Sequence, residues 1–315
     1  MTYIFGPVPS RRLGRSLGVD IIGEKKICTL DCLYCELGKT TKRTVTRGHF
    51  VPIDDLIEEF SNEYEKFRDS LDVFTITASG EPTLNIDLKT IAVKIKKIIN
   101  HPLVILTNST LITEPEVREA LHEFDIVVPS LDAADDDTFR EINRPAENIS
   151  LQPVIDSLIL FSKEFEGRLY IEVLLLKGIN DSDEHLSMLA DIIRCCNYDK
   201  VQLNTAFRPG AYKEAVKLSD VELLDAAMHL KKRGIFVEPV ENFVKTMDIS
   251  SEIDLKKTLL QLINMRPCSD SDLRQLFSSS GKLEKIIDEL IEEKKIISIL
   301  KNDQPYFVSP FIGKK

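Results

Sequence analysis

The chain has 315 residues, 43% of them hydrophobic and 29% charged, a globular composition with length enough for one large α/β domain and a smaller companion. No stretch approaches the roughly 18 continuous apolar residues of a membrane helix, which argues against a membrane protein. The net charge of −10 argues against wholesale coating of nucleic acid, but residues 1–50 carry nine Lys or Arg against four Asp or Glu, a basic segment that suits a local anionic ligand.

The opening MTYIFGPVPSRR lacks the apolar core and small-residue cleavage site of a secretory signal, so a cytoplasmic protein with reduced thiols is expected. From residue 16 to about 240, short β-branched runs alternate with stretches of helical period. Strands are predicted at 16–22, 73–79, 103–109, 125–132, 169–176 and 200–207. Helices are predicted near 52–69, 86–99, 114–123, 150–165, 183–195 and 218–232, the first opening on PIDD, a proline and acids suited to a helix N-terminus. The alternation predicts an α/β parallel sheet and leaves an open doubly wound sheet and a barrel both available.

After about residue 245 the composition changes. Helices are predicted at 254–264, within CSDSDLRQLF, and at 281–293, where Leu283, Ile286, Ile287, Leu290 and Ile291 mark one buried face. KKIISILKNDQPYFV reads as strand, turn and strand, so residues 246–315 are expected to form a C-terminal winged helix-turn-helix behind a domain of 1–245. Residues 250–315 hold eleven basic and ten acidic side chains, which disfavours DNA and suits protein contact or a cap over the substrate.

The strongest chemical signal is Cys28-Thr-Leu-Asp-Cys32-Leu-Tyr-Cys35, a CxxxCxxC loop after the first predicted strand. One such loop can wrap three thiolates around an iron–sulfur cubane and leave one iron for an exogenous ligand; Tyr34, beside the last thiolate, can stack on an adenine. Zinc is the alternative, with a fourth ligand from Cys268, the Cys195-Cys196 pair or a histidine. Cys195, Cys196 and Cys268 otherwise read as small core residues.

CxxxCxxC with an aromatic before the third cysteine resembles the radical S-adenosylmethionine (SAM) superfamily. Thr77-Ala-Ser-Gly80-Glu81-Pro82 resembles that family's GGEP motif, with Ser79 where Gly is more common. The resemblance covers about residues 5–240. It implies a partial (β/α)6 TIM-like barrel of parallel strands, a 4Fe-4S cluster on Cys28, Cys32 and Cys35, and SAM as co-substrate. It places Tyr34, Gly80, Glu81, Pro82, Asn108, Ser130, Asp132 and Asn204 at SAM, and makes Asp132, Glu172 and Gln202 the catalytic candidates at strand ends. Polar caps at strand ends are the plainer reading of the same residues.

GPVPSRRLGRSLG (6–18) with QLNTAFRPG (202–210) is similar to a bacterial and archaeal subgroup related to wyosine-type tRNA modification enzymes. The implied activity is reductive cleavage of SAM to a 5'-deoxyadenosyl radical, in an oxidoreductase or transferase whose electron comes from an external flavodoxin- or ferredoxin-type donor. The substrate is undetermined: a tRNA base stands first, a small metabolite or peptide beside it. Arg11, Arg12, Arg15 and Arg208 are candidates for gripping an anionic substrate; the plainer reading makes the first three, with Lys39, Lys42, Arg43 and Arg47, a solvated basic face and Arg208 an anchor for the turn at Pro209-Gly210. The rival of another class is a redox- or metal-sensing regulator whose cluster controls a winged-helix DNA reader.

Overall fold

The computed structural model describes residues 2–10, 13–239, 252–265, 267–277, 282–301 and 304–310. The large sheet has eight strands. In chain order they are β1 (Ile4–Ser10) and β2 (Gly14–Asp20), then, after two short strands β3 (Ile27–Cys28) and β4 (Lys42–Arg43) that pair with each other, β5 (Val73–Thr77), β6 (Leu103–Thr107), β7 (Ile126–Pro129), β8 (Arg168–Leu175), β9 (Lys200–Thr205) and β10 (Val237–Pro239). The spatial order is β1-β2-β5-β6-β7-β8-β9-β10, parallel from β2 onward, with β1 antiparallel at the edge. An order that follows the chain without reversal has no switch point of the doubly wound kind and is consistent with a partial barrel.

Helices α1 (Ile53–Phe67), α2 (Leu88–Lys96), α3 (Pro115–Leu121), α4 (Asp136–Ile142), α5 (Leu151–Glu164), α6 (Asp183–Ile193) and α7 (Asp220–Lys232) connect the strands. Helix α1 follows Pro52, carries Asp54 and Asp55 in its first turn and buries Leu56, Phe60 and Tyr64 one turn apart, as expected from its sequence. Phe60 and Tyr64 pack on Phe74 of β5, with ring centroids 5.4 Å apart in both pairs.

Because side chains alternate across a strand, Phe74 and Ile76 face the helices while Val73, Thr75 and Thr77 face the inside. The same inner face carries Val104 and Leu106, Ile126 and Val128, and Tyr170. These aliphatic and aromatic side chains form a separate buried plug at the amino-terminal ends of the strands. Toward the carboxyl ends the inner residues turn polar: Thr77, Asn108, Ser130, Glu172 and Asn204.

The C-terminal part comprises α8 (Glu252–Met265), β11 (Cys268–Ser269), α9 (Asp270–Leu276), α10 (Leu283–Glu292), β12 (Ile297–Lys301) and β13 (Gln304–Val308). Its strands form a sheet of order β11-β13-β12. A core of its own gathers Leu255, Leu259, Leu262, Phe277, Ile286 and Leu290, and Val8 of β1 packs against it. Ile291, expected on the buried face of α10, is 38% exposed, so that face is one residue narrower than its period suggested. The expected boundary at residues 245–246 lies outside the described residues.

Candidate functional site

The cysteine loop leaves β3 at Cys28 and is tied down by main-chain bonds from other loops. The Asp31 and Leu33 amides donate to the Asn143 and Ile142 carbonyls at 3.0 and 2.9 Å, and the Tyr212 amide donates to the Leu33 carbonyl at 3.1 Å. Gly80 has φ of 139°, and a Cβ there would lie 1.6 Å from the Ile27 carbonyl oxygen; the Glu81 amide donates to that same oxygen at 3.1 Å. A Cβ at Gly210 would meet the Leu33 carbonyl oxygen at 2.8 Å. Both glycines sit where another loop crosses the cysteine loop in contact.

Cys28 is buried, Cys32 and Cys35 are half-buried, and all three are free thiols. Two of the sulfurs face nitrogen donors. Cys28 Sγ accepts from the Leu30 amide (3.5 Å) and Asn108 Nδ2 (3.4 Å), and Cys32 Sγ from Asn143 Nδ2 (3.5 Å), while the charge of the Lys26 ammonium acts on Cys35. Burial, then the charge of Glu81, pushes the Cys28 thiol up to about 12, and burial with the two neighbouring sulfurs raises Cys32 as well.

Three thiolates are therefore stable together only around a positively charged core. Among the described residues, no three His, Cys, Asp or Glu side chains gather as one metal ion requires. A cubane takes one thiolate on each of three irons, a donor set that Cys28, Cys32 and Cys35 on one loop supply.

Asp132 is the hub beside the loop. It is 4% exposed, its Oδ2 accepts from the Tyr34 hydroxyl and from Asn143 Nδ2 (2.9 Å), and its Oδ1 accepts from the Leu174 amide (2.9 Å). Burial raises its pKa to about 6, against the pull of those donors. Asn180 adds a knot below it, donating to the Asp132 and Leu174 carbonyls at 2.8 Å each.

Glu81 is 1% exposed. Its Oε1 accepts from the Thr83 and Thr107 hydroxyls (2.6 Å each) and the Thr83 amide (3.1 Å), while Oε2 accepts from the Asn108 amide (2.8 Å). Burial raises its pKa all the same. The carboxylate thus ties the end of β5 to that of β6, with Pro82 opening a short 3-10 turn. Asn108 passes the link on, donating to Thr29 Oγ1 (2.9 Å) as well as to Cys28.

Glu172 and Asn204 face a cavity of about 360 Å³ that also takes in Tyr34, Cys35, Phe207 and Leu262 of α8. Asn204 Nδ2 donates to Glu172 Oε1 at 3.2 Å. Ser130 bridges to Glu172 through the backbone. Gln202, in register with Glu172, is 2% exposed, and its Oε1 has no partner among the described residues.

Of the four candidate arginines the two described, Arg15 and Arg208, are not gathered. Arg208 borders the cavity between Glu36 (3.3 Å) and Asp272 of α9 (3.8 Å). Arg15 lies at the amino end of β2, its amide on Asp72 Oδ2 at 2.7 Å, a strand's length from the loop that follows the other end. Arg11 and Arg12 lie outside the described residues. The sequence reading did not single out Lys26, Asn143 or Tyr212, whose hydroxyl donates to Asp31 Oδ2 at 2.5 Å. Only Lys26 is close to the cysteines in sequence.

A three-thiol loop at the carboxyl ends of parallel strands, over a cavity on the sheet's inner face, defines the class as an α/β protein built to hold an iron–sulfur cluster. The Radical SAM superfamily model matches residues 26–190. A UPF0026 protein of Helicobacter pylori (strain J99) is 36% identical over 297 residues, covering 94% of each chain. The "Probable dual-specificity RNA methyltransferase RlmN" of Prochlorococcus marinus subsp. pastoris is 25% identical over 193 residues, 56% of this chain and 53% of that one. A radical SAM methyltransferase from Sphaerobacter thermophilus shares the fold, with a TM-score of 0.55 and 17% identity over 71% of this chain and 66% of the other. The chain belongs to the radical SAM superfamily, whose cofactors are a 4Fe-4S cluster and SAM.

Proposed function

We propose that the protein is an enzyme that holds a 4Fe-4S cluster on Cys28, Cys32 and Cys35 and cleaves SAM reductively. Held on Cys28, Cys32 and Cys35, the cluster would supply one-electron chemistry, relaying an electron from an external flavodoxin- or ferredoxin-type donor for cleavage of SAM to methionine and a 5'-deoxyadenosyl radical that would take a hydrogen from the substrate. The observation that carries this reading is the loop of three free thiols, two of them facing side-chain amide donors, beside the cavity that holds Tyr34, Cys35, Glu172 and Asn204.

In this reading Tyr34 presents its ring to the adenine, with Asp132 fixing its hydroxyl. Gly80, Glu81 and Pro82 hold the cysteine loop and offer backbone to the SAM amino group. Asn108, Ser130 and Asn204 supply polar contacts to SAM. Glu172 and Gln202 face the reacting end with Asp132, and Arg208, with Arg11 and Arg12, serves an anionic substrate, a role that Arg15 at the far end of its strand does not share. The C-terminal elements form a winged helix that caps the cavity through Leu262. RNA is the favoured substrate class, supported by the likeness to an RNA methyltransferase, and the cytoplasm, where thiols stay reduced, the favoured compartment for a loop of free cysteines. The test is anaerobic reconstitution followed by dithionite and SAM. Cluster-dependent 5'-deoxyadenosine and methionine are expected, and a reconstituted protein that leaves SAM intact refutes the proposal.

A further inference from the structure

Lys26 lies two residues before the first cysteine and is only 8% exposed. Its carbonyl accepts from the Thr41 and Lys42 amides at 3.0 and 3.1 Å, so its backbone is fixed. Its ammonium donates to the Gly38 carbonyl, which places its charge beside the cysteine loop, where it is felt first by Cys35. Gly38 is the turn residue just past the last cysteine, and its amide returns to the Cys35 carbonyl at 3.1 Å. The side chain therefore spans the loop from its entry to its exit.

Among the described residues no carboxylate pairs with this ammonium. Its charge faces the sulfurs of Cys35, Cys28 and Cys32, and Asp31 also feels it. Burying an ammonium is costly unless an opposite charge repays it. Three thiolates around an iron–sulfur core supply such a charge, because they outweigh the core and leave the site anionic. One-electron reduction adds a further negative charge, so a fixed cation at one thiolate stabilises the reduced state more than the oxidised one.

We propose that Lys26 is a positioning residue whose ammonium, acting through Cys35, raises the reduction potential of the cluster and so brings it within reach of the external donor. This rests on the cluster reading given above. A staple role alone, closing the loop onto the Gly38 carbonyl, predicts changed cluster retention with an unchanged potential.

The test compares wild type with Lys26→Gln, which keeps a donor without charge, and Lys26→Arg, which keeps the charge. Iron per chain and the midpoint potential are measured without SAM, by mediated titration followed by electron paramagnetic resonance. Lys26→Gln is expected to retain iron while its reduced-to-oxidised ratio at a fixed potential falls about tenfold, which is ~59 mV for a one-electron couple; Lys26→Arg stays near wild type. A wild-type potential in an iron-replete Lys26→Gln overturns the proposal. If Lys26→Gln loses iron, retention by Lys26→Arg upholds the need for charge, and loss in both reduces Lys26 to a steric part of the loop. A wild-type protein that takes up no cluster would instead be a failure of the cluster reading itself.

Discussion

At Gly80 a single hydrogen atom decides where the cysteine loop can run. With φ at 139° and the Ile27 carbonyl oxygen 1.6 Å from the position of a Cβ, an alanine must push Ile27 and then Cys28 away from Asn108. Gly80→Ala is predicted to destabilise the protein by about 2 kcal/mol, on the scale of local strain, and to lower iron per chain after reconstitution. Denaturation midpoints and iron analysis read both, and full iron loading would show that the crossing tolerates a methyl group. The thiols, Tyr34 and the Gly80-Glu81-Pro82 segment were legible in the sequence because each chemistry is contained in a short stretch. The donors to the sulfurs were not: Asn143 reaches Cys32 across 111 positions, and only the fold brings them together.

Between β8 and β9, α6 carries a titrating group in its first turn. Ser182 caps it by accepting from the His185 amide at 3.2 Å, and the His185 ring is buried with Nδ1 3.3 Å from Asp135 and Nε2 without a partner among the described residues. Burial lowers its pKa below the ordinary 6.5, with Asp135 pulling the other way. Just below that pH the unfolded chain binds the proton more readily than the folded one, so this group makes stability rise with pH through that window and level off above it. Urea midpoints at mildly acidic and neutral pH should differ more for wild type than for His185→Gln; equal differences would mean that the ring does not titrate there.

Strands β2 and β5 to β9 and, apart from α4, the helices between them were legible because a sheet covered by helices imposes apolar runs and a helical period. Strand β1 was not, since FGPVPS contains two prolines, which only an edge strand accepts easily. Helix α4 hid in an acidic run where Asp135 caps it by accepting from the Thr138 amide at 2.8 Å.

Across the whole molecule, Arg208 joins the two parts of the chain. It stands between Glu36, next to the last cysteine, and Asp272 of α9, while the Tyr306 hydroxyl donates to the Phe207 carbonyl at 3.4 Å and Lys257 pairs with Glu63 at 3.0 Å. Removing the arginine leaves two carboxylates facing each other in a half-buried setting, worth about 2 kcal/mol after allowance for solvent screening. Arg208→Ala is predicted to speed amide exchange in residues 252–310 while the parallel sheet keeps its protection. Exchange that rises evenly across the chain would contradict this clasp. The helices and paired strands of the C-terminal part were legible from period and turn residues. Their seat on β1 was not, because it depends on contacts between segments more than 200 positions apart.

The measurement that bears most directly on the central claim is electron paramagnetic resonance of the reconstituted, dithionite-reduced protein before and after SAM is added. A 4Fe-4S cluster with one iron open to SAM predicts a signal from the reduced cluster that shifts on SAM addition and is absent in Cys32→Ala. A reduced-cluster signal that SAM leaves unchanged, or one that persists in Cys32→Ala, would contradict it.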